Sequence, residues 1–417
     1  MTTSWTWMVY LATNNNVWEH GEQSVERIRA AQLGDGVRVA VQQTTPARTT
    51  RSLLGGGPTQ QADLGQVDSG APETLVDFIR WAAQERPAER YALVLWSHGS
   101  GWEPSEIERL AEEVQPQVPV TRGELTERGE GDEARQTFFS SSLRTILAKD
   151  TPAERAIAFD DGSGHSLDTI ELGRVAAEAR QILGRPLDLL GMNACQMASA
   201  EVAYQLRGSA RVYIASQEDM PAESWPYDDL LTRLGAAPAL DAEALARLIV
   251  ARYCAAFREN EDLRPWWGKR GFPPGVTLSA LSLDGAERLA AAGKSLADAL
   301  RQDIAGQLAA IWAAHRQARA FKFRQFDLAT FCSALAGHAQ ASPRTKEAAN
   351  DVLAALNDPA VVLAREHTAS AYDGTGGVSA YLIFPEPGVA PSPYYDETDF
   401  AVATGWGAFL KAYHAAV

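Results

Sequence analysis

Apolar residues follow two rhythms along this chain. In TWMVYLAT, VRVAVQQ, RYALVLW, LDLLGMNAC and RVYIASQE they form short, nearly unbroken runs. In VWEHGEQSVERIRAAQ, PETLVDFIRWAAQE, SLDTIELGRVAAEARQIL and MASAEVAYQLRG they recur every three or four residues. Unbroken short runs predict strands buried on both faces, and the 3.6-residue period predicts helices that cover them. PETLVDFIRWAAQE is the clearest helix, with Pro72 and Glu73 at its start and Leu75, Phe78, Ile79 and Ala82 on one face. TRSLLGG reads as a short edge segment and AIAFDD as a further strand of the series. Alternation of this kind predicts an α/β fold around a mostly parallel sheet.

The pattern is interrupted once and then changes. Residues 103–155 are polar, charged and without hydrophobic period, which predicts an exposed insertion with a short helix near 107–114. Beyond residue 235, LDAEALARLIVARYCAAF, the long run from LDGAERLAAAGK to AAHRQARA, and TKEAANDVLAALN are Ala-rich helices. AREHTASAYDGTGGVSAYLIFPE reads as a strand pair near 365–385 that adds to a sheet edge, and GWGAFLKAYHAA as a final helix. The expected division is a core over 1–235 and a helical region over 236–417 packed on it.

Composition narrows the function classes. With 46% hydrophobic and 22% charged residues the chain is of globular type. No apolar run approaches the roughly 18–20 residues of a membrane-spanning helix. Thirty-eight basic against 53 acidic residues leave a formal charge of −15, and no basic cluster offsets it, which disfavours nucleic acid and anionic lipid as partners. The three cysteines, Cys195, Cys254 and Cys332, are far apart and form no CxxC pair, so neither a disulfide framework nor a structural zinc site is expected. MTTSWTWMVYLAT lacks the features of an export signal, and the expected location is cytoplasmic.

Two segments carry chemistry. YALVLWSHGSGW places His98 just past a buried strand, beside Gly99 and Gly101. LDLLGMNACQMASAEVAY places Cys195 where a strand gives way to a helix, whose N-terminal partial charge is expected to populate an exposed thiolate. Carboxyl ends of strands in an open parallel sheet are where sites form. Neighbouring strands lie about 4.8 Å apart, so an imidazole and a thiol at adjacent tips would suffice for acyl transfer. Local pattern does not establish that these two strands adjoin. Alone, each residue also has a plain reading, His98 as a loop residue and Cys195 as a small buried apolar one. Asp160, Asp161 and His165 form another polar group, with His165 in a Gly/Ser turn that favours an exposed, non-catalytic residue. Cys254 and Cys332 lie in helices and read as core. No GxGxxG or GxxxxGK[ST] follows the first strand, where ATNNN stands, so a phosphate-binding loop is not expected.

WTWMVYLATNNN, PETLVDFIRWAA, YALVLWSHGSGW, LDLLGMNACQMASAEVAY and ASQEDMPAESWPYDDLL, in that order, resemble the successive blocks of clostripain-like cysteine peptidases, relatives of caspases, metacaspases, gingipains and legumain. The resemblance implies a caspase-type three-layer α/β sandwich, His98 as general base and acid, and Cys195 as nucleophile. It also implies an oxyanion hole from the N–H groups of Gly99 and Cys195, protein or peptide substrates, and no metal in the bond-breaking step. Some members need calcium, but no acidic calcium-loop pattern is present here. The family's usual specificity, cleavage after Arg or Lys, relies on acids in the pocket. One stands two positions before the cysteine, where this chain has Asn193; the other corresponds to Glu223, with Glu218 and Asp219 nearby and Trp225 and Tyr227 as walls or anchors. A neutral amide at 193 leaves a neutral preference as the alternative. Self-cleavage between His98 and Cys195 is a further implied feature, with Arg122, Arg128, Arg135, Lys149 and Arg155 as candidate sites. A catalytically silent interaction protein is the competing class. Oligomeric state and physiological substrate are not legible.

Overall fold

The structure is a computed structural model that describes residues 3–102, 157–163, 165–260, 267–269, 273–386 and 389–417. The 103–155 insertion, with its expected short helix, lies outside the described residues. Strands are β1 (Trp5–Ala12), β2 (Val37–Thr44), β3 (Thr49–Leu54), β4 (Gln60–Asp63), β5 (Arg90–Trp96), β6 (Ile157–Asp160), β7 (His165–Leu167), β8 (Leu187–Asn193), β9 (Ala210–Ala215), β10 (Thr277–Ser282), β11 (Gln325–Asp327), β12 (Val362–His367) and β13 (Ser379–Tyr381).

Nine of them form one sheet in the order β12-β10-β9-β8-β5-β1-β2-β3-β4. The middle, β9-β8-β5-β1-β2, is parallel throughout, and the added strands on both margins are antiparallel. Alternation along β1 shows why its run is apolar at every position. Met8, Tyr10 and Ala12 face one buried layer, and Trp5, Trp7, Val9 and Leu11 face the other. The first layer contains the helices Pro72–Glu85, Thr169–Leu183, Ala286–Gln302 and Trp406–Ala415; the second contains Trp18–Ala30, Tyr227–Ala236 and Ala242–Glu259. Thr169–Leu183 has the reciprocal capping box of Asp168 and Glu171 and ends at Gly184 in the left-handed conformation.

The sheet departs from the sequence-based expectation in four places. AIAFDD supplies β6, which pairs antiparallel with β7 in a separate two-stranded ribbon rather than joining the main sheet. TRSLLGG is not the edge, because β4, polar and exposed along its whole length, pairs outside β3. The C-terminal strands do not pair with each other. β12 extends the main sheet through β10, whereas β13 pairs with β11. β10 itself has only a six-residue TLSALS run of small and mixed residues, too weak a pattern to mark it. Cys254 and Cys332 are fully buried, as their helical positions suggest.

Candidate active site

The parallel register of β5 and β8 ends with Trp96 opposite Asn193. Two residues further along each strand stand His98 and Cys195. The chain stays paired beyond the ladder, with Ser97 N–H donating to Asn193 O at 3.4 Å. Gly99 then packs directly on the backbone of Cys195, close enough that a Cβ there would lie 2.5 Å from Cys195 O and 3.1 Å from its N. The two chemistry-bearing segments therefore meet at one rim, formed by the carboxyl ends of adjacent strands.

β1 contributes the partner of the imidazole. Its continuation, Thr13–Asn16, crosses the rim, and Asn16 Oδ1 lies 2.9 Å from His98 Nε2. An amide oxygen accepts, so Nε2 carries the proton and the basic lone pair sits on Nδ1. Asn14 and Ser69 hold Asp160, whose carboxylate accepts five hydrogen bonds, from Asn14 Nδ2, Ser69 N–H and Oγ, Gly162 N–H and Ser163 N–H. Among the described residues, no group of three or more His, Cys, Asp or Glu side chains is placed to hold a metal ion. His165 is exposed and pairs with Asp68.

Burial sets both titrations. His98 is buried, which pushes its imidazole down to about 3. Cys195 is 3% exposed, and burial followed by the Asp219 charge raises its thiol well above the ordinary value. The expected exposed thiolate is therefore corrected. The next helix, Ala200–Gln205, starts five positions on and is too remote to act on the sulfur, which instead lies 3.2 Å from Met220 N and 3.8 Å from Met220 O. Both shifts favour the uncharged forms, a thiol and a neutral imidazole. For His98 the folded value lies below the unfolded one, so its contribution to stability is present above about pH 6.5 and declines as pH falls below that. Alkylation of Cys195 in the free enzyme is accordingly expected to accelerate continuously through pH 8.5 and beyond, with no step near pH 6.5. Iodoacetamide inactivation rates with peptide mapping measure this, and a plateau below pH 7 would show a preformed ion pair.

Asn193 is buried and points its amide Nδ2 at Ser224 Oγ and, at 3.2 Å, at Tyr227 OH; Trp96 Nε1 donates to the same Ser224 Oγ at 2.7 Å. Trp225 is fully buried against Gly191, where a Cβ would meet its ring at 2.6 Å, so it acts as an anchor under β8. Glu223 is half-buried and is held through its backbone, its carbonyl accepting from Arg27 Nη1 at 2.7 Å. Glu218 accepts from Tyr372 OH at 2.8 Å and lies 3.8 Å from Arg319; burial and the neighbouring Asp219 raise its pKa. Asp219 accepts from Gln196 Nε2 at 3.0 Å and pairs with Lys322 Nζ at 2.6 Å. Glu218 and Asp219, two of the pocket candidates, are thus engaged by cations from a distant segment. Arg122, Arg128, Arg135, Lys149 and Arg155 lie outside the described residues.

Sequence pattern singles out neither Gln196, Arg319, Lys322 and Tyr372 nor Asn16. Only Asn16 left a signal, a polar run directly after an apolar strand. The others reach the rim from segments with no local mark.

A nine-stranded mixed sheet flanked by helices, with a histidine and a cysteine brought together at one rim, defines the class as caspase-like cysteine peptidases. The clostripain family model matches residues 144–413, which includes Cys195 and not His98, and the chain belongs to that family. The chain is similar in fold to a secreted C11 cysteine protease from Bacteroides thetaiotaomicron in complex with an irreversible peptide inhibitor, at 18% identity, 97% and 99% coverage of the two chains and a TM-score of 0.65. It is likewise similar to an inactive zymogen C11 protease from Parabacteroides distasonis, at 18% identity, the same coverages and a TM-score of 0.61. No curated protein sequence matches the chain. Among the described residues no helix is long and apolar enough to cross a membrane.

Proposed function

We propose that this cysteine peptidase is an endopeptidase working by a Cys195–His98 dyad and cleaving after Arg or Lys. Cys195 Sγ attacks the scissile carbonyl while its proton passes to His98 Nδ1. The tetrahedral oxyanion is held by the N–H groups of Gly99 and Cys195. Collapse of the adduct breaks the C–N bond, and the leaving amine takes the proton from His98. Water then hydrolyses the thioester with His98 as base, restoring the thiol. The observation that carries this reading is the Trp96–Asn193 register, which sets the imidazole and the thiol equally far past two adjacent parallel strands. Asn16 accepts from the imidazole at Nε2, which leaves Nδ1 as the unprotonated nitrogen.

Basic specificity is supported by Glu223, the carboxylate at the family's second acidic position, and is weakened by the amide at Asn193. Among the described residues around it, Ser224 and Tyr227 carry hydroxyls that can turn to donate to a carboxylate at 193. In a peptide library varied at the residue before the cleaved bond, the wild type is expected to favour Arg and Lys. Asn193→Asp is expected to raise the ratio of kcat/KM for arginyl over citrullyl substrates by about tenfold. An unchanged ratio would remove Asn193 from the pocket, and a wild-type preference for neutral residues would overturn basic specificity. Maturation by self-cleavage within 103–155 completes the proposal; a structure of similar fold is described as an inactive zymogen.

A further inference from the structure

Asp219 is built as a cation receptor, and the cation it holds comes from the chain itself. One carboxylate oxygen is fixed from inside by Gln196 Nε2 at 3.0 Å, the residue directly after Cys195. Gln196 itself lies in the left-handed region at φ 58°, directly after the nucleophile. The other oxygen meets Lys322 Nζ at 2.6 Å, with the lysine side chain 42% exposed and the aspartate side chain 11% exposed. The acid is thus part of the rim, whereas the lysine covers it from solvent. Lys322 sits on a tight turn closed by Phe321 N–H to Gln325 O at 2.8 Å and Gln325 N–H to Lys322 O at 3.2 Å. The next two residues, Phe323 and Arg324, both adopt φ 54°, a conformation unfavourable to residues with a Cβ. The turn is anchored at its base, where Arg319 lies over the Tyr372 ring at 4.7 Å and 3.8 Å from Glu218.

We propose that Lys322 is an internal stand-in for a substrate's basic side chain, occupying Asp219 beside the nucleophile until an incoming lysine or arginine displaces it. This rests on the peptidase reading above and adds Asp219 to Glu223 as a carboxylate that recognises the substrate, with Lys322 as the residue that sets the threshold for entry. Neutral side chains gain nothing from Asp219 and so cannot pull Lys322 away. The device raises discrimination against them at the expense of affinity for basic ones, and compensates in part for the neutral amide at Asn193.

The test uses the full chain with Cys195→Ala, so that bound peptide is not consumed. Fluorescence anisotropy compares an arginyl peptide with its citrullyl counterpart, which has the same shape without the charge. Adding Lys322→Met is expected to tighten the arginyl peptide about fivefold and leave the citrullyl peptide unchanged, and Lys322→Arg is expected to behave as the parent. Lys322→Gln provides the same comparison if the methionine variant does not fold. Equal affinities with and without Lys322, or equal tightening of both peptides, would overturn the proposal. Hydrolysis by the Cys195-containing chain is assayed separately. Failure there would sink the peptidase dyad, and the binding comparison would still decide the role of Lys322.

Discussion

Cys195→Ala is expected to abolish peptide hydrolysis while the chain still folds. The sulfur is the atom that forms the acyl bond in the proposed mechanism, and neither other thiol is suited to replace it: Cys254 and Cys332 are buried in helices, and burial raises Cys254 to about 12 and Cys332 further. The structural cost is small, since removing Sγ leaves Met220 N–H, now 3.2 Å from the sulfur, without that partner, a loss of about 1–3 kcal/mol. Cys195→Ser keeps a polar atom at Met220 but substitutes a far weaker nucleophile, so it should recover stability and not activity. Circular dichroism and thermal unfolding separate the two effects. Intact mass and N-terminal sequencing of the same variants report on maturation. If Cys195→Ala is cut at Arg122, Arg128, Arg135, Lys149 or Arg155 as the wild type is, another protease makes the cut.

Gly99→Ala is expected to lower kcat/KM by about a hundredfold or more, although it adds one methyl group and removes no functional atom. The new Cβ would be 2.5 Å from Cys195 O, 3.1 Å from Cys195 N and 3.0 Å from Ala194 Cβ, and two of these atoms are backbone that cannot swing aside. Relief of the overlap must part the two strand tips, displacing both the nucleophile and the proposed oxyanion donors; shifts on the order of 1 Å at such a site cost about 10²-fold. Overpacking should also reduce stability by about 1–3 kcal/mol. Gly337→Ala is the control, because nothing lies within 4 Å of a Cβ there and activity should stay at the wild-type level. Steady-state kinetics on an arginyl peptide decides the matter, and near-normal turnover by Gly99→Ala would show that the close approach of the two loops is not part of catalysis.

Much of the architecture was legible because burial on both faces leaves a mostly apolar run, and β1, β2, β5, β8 and β9 all carry one. The misreadings fall where that signal fails. β4 is polar because it is an exposed edge, β10 is short and mixed, and AIAFDD is apolar enough for a core strand yet forms a ribbon with β7. Within the site, His98, Gly99 and Cys195 were legible from their places after strands. The state of the thiol was not. Helix proximity suggested a thiolate, whereas burial, and after it the charge of Asp219 on a loop 24 residues away in sequence, raises the thiol.

By itself the sequence determined which residues stand at the ends of which strands, since side-chain alternation and helical period are properties of neighbouring positions. It determined as well, through its ordered blocks, a likeness to clostripain-like peptidases. Only the tertiary structure decided that β5 and β8 lie side by side, that Asn16 bonds the imidazole, and that Lys322 pairs with Asp219. Strand order and ion pairing are settled by the packing of segments about 80 to 100 positions apart, which fixes register and connection. Such contacts depend on where each segment comes to rest in three dimensions, and no local run of residues records that.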